Sequence, residues 1–177
     1  MHITQESPAA PDVRALLDEH LSDMFATSPP ESVHALDLTA LTAAHVTFLT
    51  ARAHDGQLLG CGALSELTAT APGAPGHGEL KSMRTAHAAR GRGVATAVLE
   101  RLLGLAAERR YARVSLETGT EEYFAPARRL YARHGFVECG PFADYVTDPH
   151  SVFMTLCPVA PAAGAAPGHG RARTAER

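Results

Sequence analysis

Between residues 90 and 96 the chain reads RGRGVAT, ahead of TAVLERLLGLAAERR, which has the periodicity of a helix. The start of a helix leaves backbone N–H groups unpaired and carries the positive end of the helix dipole. Gly91 and Gly93 let the chain turn so that Val94, Ala95 and Thr96 point their N–H groups at one place, while Arg90 and Arg92 add two cationic forks. The chemistry such a turn offers is the binding of a pyrophosphate. Alone, RGRG is equally well read as an arginine-decorated, solvated turn. It is neither a GxxxxGK(S/T) loop nor a dinucleotide fingerprint, since Thr96 stands where GxGxxG requires its last glycine. It does satisfy a looser pattern, Gln or Arg followed by glycine and then glycine or alanine, with Arg90, Gly93 and Ala95 in the fixed places.

Other reactive side chains are scattered. Cys61, Cys139 and Cys157 form no CxxC pair, and Cys61, within LLGCGAL, reads as a small core hydrophobe. Among the ten histidines no HxxxH or HExxH spacing points to a metal, and none is expected.

The elements that must position the turn follow from periodicity. Residues 12–25 place Val13, Leu16, Leu17, Leu21, Met24 and Phe25 on a helical stripe with Asp12 as cap, and SPPES breaks that helix before a short restart through HALDLTAL. VTFLTARA and LLGCGALSEL, joined at Asp55-Gly56, read as an antiparallel hairpin. A loop over 68–78 leads to a third strand, 78–86, and then to the helix with Val94, Val98, Leu102, Leu105 and Ala106 buried. A strand over 112–118, a helix over 126–134 ended by Gly135, and two last strands, FVECGPF and SVFMTL, complete the order α-α-β-β-β-α-β-α-β-β. The prediction is a single α/β domain over 1–158, with a mixed, mostly antiparallel central sheet flanked by helices. Residues 159–177, rich in proline, alanine, glycine and arginine, are expected to be a disordered tail.

With 45% hydrophobic and 20% charged residues the chain has an ordinary globular composition. The net charge of -3 argues against a general nucleic-acid binder, and no apolar run reaches the roughly 20 residues that span a bilayer. No signal pattern opens the chain, so the expected location is the cytoplasm.

The strand ELKSMRT before the turn and LYARHGF after it resemble the paired motifs of the GNAT superfamily of acetyl-CoA-dependent N-acetyltransferases, with Leu130, Tyr131, Gly135 and Phe136 matching the latter. SPPESVHALDL, GCGALSEL, SLETG and PFADYVTDPHSVFMTL are similar to a subgroup of small bacterial members, the YsnE type. The resemblance implies a GNAT fold and acetyl-CoA as donor, with CoA as product. It implies that the backbone of Met83, Arg84 and Thr85 pairs with the pantetheine arm, and that Gly91 to Thr96 hold the pyrophosphate. It also implies Tyr131 as the acid that protonates the leaving thiolate, and Glu79 as a general base, acting directly or through water. Burial at the strand centre would make that carboxyl a fairer base. One position departs from the family: Phe124 stands where many members carry an asparagine that bonds the cofactor, so backbone or Arg128 is left to make that contact.

The acceptor site is expected from the first two helices, the end of the strand at Glu117 and the loop PFADY, with His34, Ser32, Glu117 and Tyr145 as candidates. The expected reaction is direct acetyl transfer to the primary amine of a small molecule in a ternary complex, by a monomer or homodimer. The alternatives are a protein or peptide amine as acceptor, a non-catalytic acyl-CoA-binding module, and, disfavoured by charge, a nucleic-acid binder.

Overall fold

The computed structural model describes residues 1–29, 38–67, 75–157 and 159, and its first element is one the sequence pattern does not announce. A four-residue edge strand, β1 (His2–Gln5), pairs antiparallel with β2 (Val46–Arg52). It is mostly exposed, with only Ile3 packed against the core, so it carries no apolar alternation to read.

Helix α1 (Pro11–Thr27) begins one residue earlier than expected, with proline in its first turn. Ala10, not Asp12, holds the cap position, and Asp12 lies in the first turn. The predicted stripe divides along the helix. Val13 and Leu16 are buried, whereas Leu21 is 37% and Phe25 50% exposed. Of the predicted helical restart, α2 (Leu38–Leu41) lies within the described residues.

After β2 come β3 (Leu58–Leu67) and β4 (Gly76–Thr85), both antiparallel to their neighbours. Helix α3 (Val94–Glu108) crosses over to β5 (Tyr111–Gly119), which runs parallel to β4. Helix α4 (Ala125–Arg133) ends at Gly135, whose φ of 86° is the left-handed stop the sequence signals. The strands β6 (Val137–Cys139) and β7 (Ser151–Leu156) close a seven-stranded sheet in the order β1-β2-β3-β4-β5-β7-β6. Among the described residues the β4–β5 pair is its one parallel contact.

The larger core is built around α3, whose Val98, Leu99 and Leu102 are fully buried, each side chain contributing roughly 1.5–3 kcal/mol relative to exposure. Helix α3 comes close to the sheet over Gly62, where an added Cβ would sit 2.4 Å from the Met83 sulfur and 2.9 Å from Val98. A smaller cluster, Val13, Leu16, Leu41, Phe48, Cys61 and Ala63, seats α1 and α2.

The feature that makes room for a site lies between β4 and β5. Their pairing runs to Leu80↔Leu116 and stops, while Glu117–Gly119 stay paired only to β7. On the other side of β4, Cys61 opposes Arg84 and Ala63 opposes Lys81, so Ser82 and Met83 together face Gly62. This is a β-bulge. Ser82 takes a positive φ of 52°, a conformation that costs an L-residue roughly 1–2 kcal/mol. The bulge turns β4 away from β5 and leaves a V-shaped opening.

Candidate active site

Two cavities meet in that opening. The first, about 670 Å³, has Met83–Thr85 on one wall, the turn before α3 at its end, and Tyr123, Phe124, Ala127 and Tyr131 opposite. Its end is backbone. Gly91 (φ 74°) and Gly93 (φ 77°) are both left-handed, and Gly93 caps α3 without any side-chain hydrogen bond. The first-turn N–H groups of α3 therefore lack the side-chain oxygen that usually satisfies them, and they meet the cleft at the positive end of the helix. Along β4, the Ala86 N–H donates to Leu59 O of β3 at 2.9 Å. Strand alternation then places the amides of Met83 and Thr85 on the opened side, as an added chain-like ligand requires. The Met83 side chain packs under α3, so only its backbone serves the cleft. Arg90 lines the cavity, its guanidinium 3.5 Å from the Tyr123 hydroxyl and 4.0 Å from Asp23. Arg92 is exposed and is not part of the cavity wall.

The second cavity, about 110 Å³, occupies the V between β4 and β5. Glu79 is buried there (3% exposed), and one of its oxygens accepts from the Tyr145 hydroxyl at 2.7 Å and from Lys81 Nζ at 2.8 Å. Lys81 Nζ also donates to the Tyr145 hydroxyl at 2.7 Å, closing a triangle. Burial first, then the adjacent Glu79 charge, pushes the Tyr145 phenol well above its ordinary value, which keeps it a donor. Glu117 lines the same cavity and accepts from Ser151 Oγ at 2.7 Å. The structure thus brings Glu79, Glu117 and Tyr145 together around one cavity. It adds Lys81, whose only signal in sequence was its spacing of two from Glu79 on the same strand face. Ser32 and His34 lie outside the described residues.

Five residues wall both cavities: His20, Met83, Phe124, Ala127 and Tyr131. Tyr131 is 6% exposed, its ring against Phe136, and its hydroxyl makes no hydrogen bond among the described residues. Burial raises its phenol, so it stands protonated at the junction. Lining the same junction from α1 is His20, which the sequence reading missed. Its side chain is half-buried and its Nδ1 is sealed from solvent without a partner. Burial, with Arg84 nearby, holds the imidazole at about 4, well below its ordinary value, so it is neutral.

Arg84 ties these walls together. Its guanidinium bonds Glu19 (2.5 Å) and Asp23 (2.6 Å) of α1 and the Tyr123 hydroxyl (2.9 Å), which in turn donates to Asp23 at 2.7 Å. The side chain is therefore structural, whatever its backbone holds. Phe124, at the departing position, lies beneath Gly119, where a Cβ would be 2.3 Å from its ring. Arg128 donates through one nitrogen, Nη1, to the carbonyls of Gly119 and Glu121. Cys61 is 1% exposed, and burial pushes its thiol up to about 12. Such a thiol is a packed side chain, not a nucleophile.

The profile of the Acetyltransferase (GNAT) family matches residues 13–136. The chain is 48% identical over 155 residues to the uncharacterized N-acetyltransferase YsnE of Bacillus subtilis, covering 88% of this chain and 98% of that one. It is 48% identical over 146 residues to the uncharacterized N-acetyltransferase YedL of Escherichia coli, covering 82% and 87%. Among solved structures, an acyl-CoA N-acyltransferase from Klebsiella pneumoniae superposes with a TM-score of 0.74 at 30% identity, over 90% of this chain and 97% of that one.

Proposed function

The chain belongs to the GNAT acetyltransferase family and is an N-acetyltransferase, and from that premise we propose that it moves the acetyl group of acetyl-CoA to the primary amine of a small molecule by direct attack in a ternary complex. The observation that carries this reading is the junction of two separate cavities at Tyr131. A donor in the larger and an acceptor in the smaller would be held at once, with their reacting ends side by side. The larger cavity fits a pantetheine-pyrophosphate: free strand amides along its length, then left-handed glycines and an uncapped helix start. The smaller, at about 110 Å³, suits a compact amine better than a peptide.

Each residue has a defined task in this scheme. In this reading, amides of the opened stretch of β4 support the charge that develops on the thioester oxygen. Tyr131 supplies a proton to the departing sulfur. Glu79, with Lys81 and Tyr145, and Glu117 line the acceptor's side, carboxylates facing a group that arrives positively charged. A direct transfer needs no protein nucleophile, and the buried Cys61 offers none.

The test is thiol release from acetyl-CoA against amino acids, polyamines, aminoglycosides and peptides. Turnover with one class of small amine is expected. Tight CoA binding with no release from any amine would overturn the reading in favour of a sensing module.

A further inference from the structure

We propose that His20 is a catalytic residue of this site, accepting the proton of the acceptor amine as the amine attacks the thioester. The inference rests on the acetyl-transfer reading above and adds to it a base that comes from α1 rather than from the sheet.

The first ground is position. Of the five residues that wall both cavities, only His20 and Tyr131 carry a side chain able to exchange a proton. They come from different elements, His20 from α1 and Tyr131 from α4.

The second ground is hydrogen bonding. Buried polar atoms are nearly always paired, yet His20 Nδ1 is sealed with no partner, and neither ring nitrogen bonds a described residue. An unmatched imidazole here costs stability, which is how residues reserved for a ligand commonly stand. Glu79, by contrast, has one oxygen held by both Lys81 and Tyr145.

The third ground is that their surroundings drive the two groups apart. The charged groups facing His20 are Glu19 and Asp23 on its own helix and Arg84 on β4, and the two carboxylates are already bound to Arg84. Desolvation and Arg84 outweigh them, so the ring stays neutral and able to accept. Burial keeps Tyr131 protonated and able to donate. Two titratable groups pushed in opposite directions across one reaction centre are the signature of an acid–base pair.

The step balances. As the amine nitrogen bonds the carbonyl carbon, its proton passes to the His20 imidazole. The carbon–sulfur bond breaks with its electron pair on sulfur, and the thiolate takes the Tyr131 hydroxyl proton. The imidazolium proton then returns to the tyrosinate through solvent, leaving amide and thiol with both side chains restored.

Two measurements on the full chain decide the matter. In protein carrying ¹⁵N-labelled histidine and backbone, CoA is expected to shift the His20 ring signals together with the Gly91–Thr96 amides. Loop amides that move while the ring stays still would overturn the role of His20 and leave the cofactor site standing. Amides that do not move either would overturn the acetyl-transfer reading, and the inference with it. With an amine found by the thiol-release screen, His20→Gln is expected to lower kcat about a hundredfold with the acetyl-CoA KM within about threefold. A kcat within about twofold of the parent in folded His20→Gln would sink the assignment, and the ring-shift experiment needs no variant to fold.

Discussion

The two cavities are built on different principles. The larger draws its recognition from backbone in one short stretch of chain, Met83 to Thr96, where a bulged strand, two left-handed glycines and an uncapped helix start supply the polar groups. The smaller is built from side chains brought together over long separations: Glu79 and Tyr145 stand 66 residues apart, Glu117 and Ser151 34. Backbone groups bind the same ligand whatever the side chains are, which suits a donor with an invariant handle. Side chains choose, which suits an acceptor that differs between enzymes of one fold.

The sharpest break of this comparison falls where the cavities join. Tyr131→Phe removes the proton donor and little volume, so kcat is expected to fall about a hundredfold while both KM values hold within about threefold, as steady-state kinetics would read. Unchanged turnover would mean that solvent, not Tyr131, protonates the sulfur. Next comes the backbone-built end. At Gly93 a Cβ would meet no atom within 4 Å, so the cost of Gly93→Val is conformational: a β-branched residue forced to φ 77°. Calorimetry should show CoA binding weakened about tenfold, with thermal stability lowered by only a few degrees. Equal binding in the variant would remove the turn from the cofactor site.

The difference between the regions also sets what the sequence could disclose. β3 has the bounds its alternation predicts, and α3 follows the RGRG turn as its period requires, because these depend on neighbours in the chain. The bulge at Ser82 had no such signal. It exists only as a mismatch between β3 and β4, and serine is not a residue that announces a positive φ. His20 was hidden for a related reason. It lies on the apolar face of α1, seven residues after Val13 and four after Leu16, where it reads only as a gap in the stripe, and what it meets there depends on how Arg84 of β4 docks that helix through Glu19 and Asp23. Lys81 read as one more charge on a strand until Tyr145, from a loop after β6, closed over it.

The side-chain-built cavity should respond selectively. Tyr145→Phe removes one leg of the Glu79–Lys81–Tyr145 triangle and leaves the cleft alone, so the acceptor KM is expected to rise several-fold with the acetyl-CoA KM unchanged. A double-mutant cycle with Glu79→Gln should give a coupling of about 0.5–3 kcal/mol, the range for groups in one hydrogen-bond network. Independent effects would show that the triangle merely packs.

The smallest effect is on stability, and it falls on the residue between the two regions. The folded protein holds His20 at about 4, below the 6.5 of an unperturbed imidazole. From that upper value downwards the unfolded chain binds a proton that the folded chain refuses, so stability is lost as pH falls through the window from 6.5 toward 4. Between pH 7 and about pH 5.5 the loss comes to about 1 kcal/mol, a few degrees in thermal midpoint for a chain of this size. Asp23, whose carboxyl is held below its ordinary value by Tyr123 and then Arg84, is ionised in both states across that window and adds its own loss only at lower pH. His77, held below its ordinary value by burial and then by Arg113, contributes to the same interval, so His20→Gln should make the slope shallower without abolishing it and leave the steeper fall below it. A slope unchanged by the substitution would mean that His20 is not among the histidines kept neutral. His20 would then be free to titrate in the folded protein and would lose its standing as a ring held ready to accept a proton at the junction.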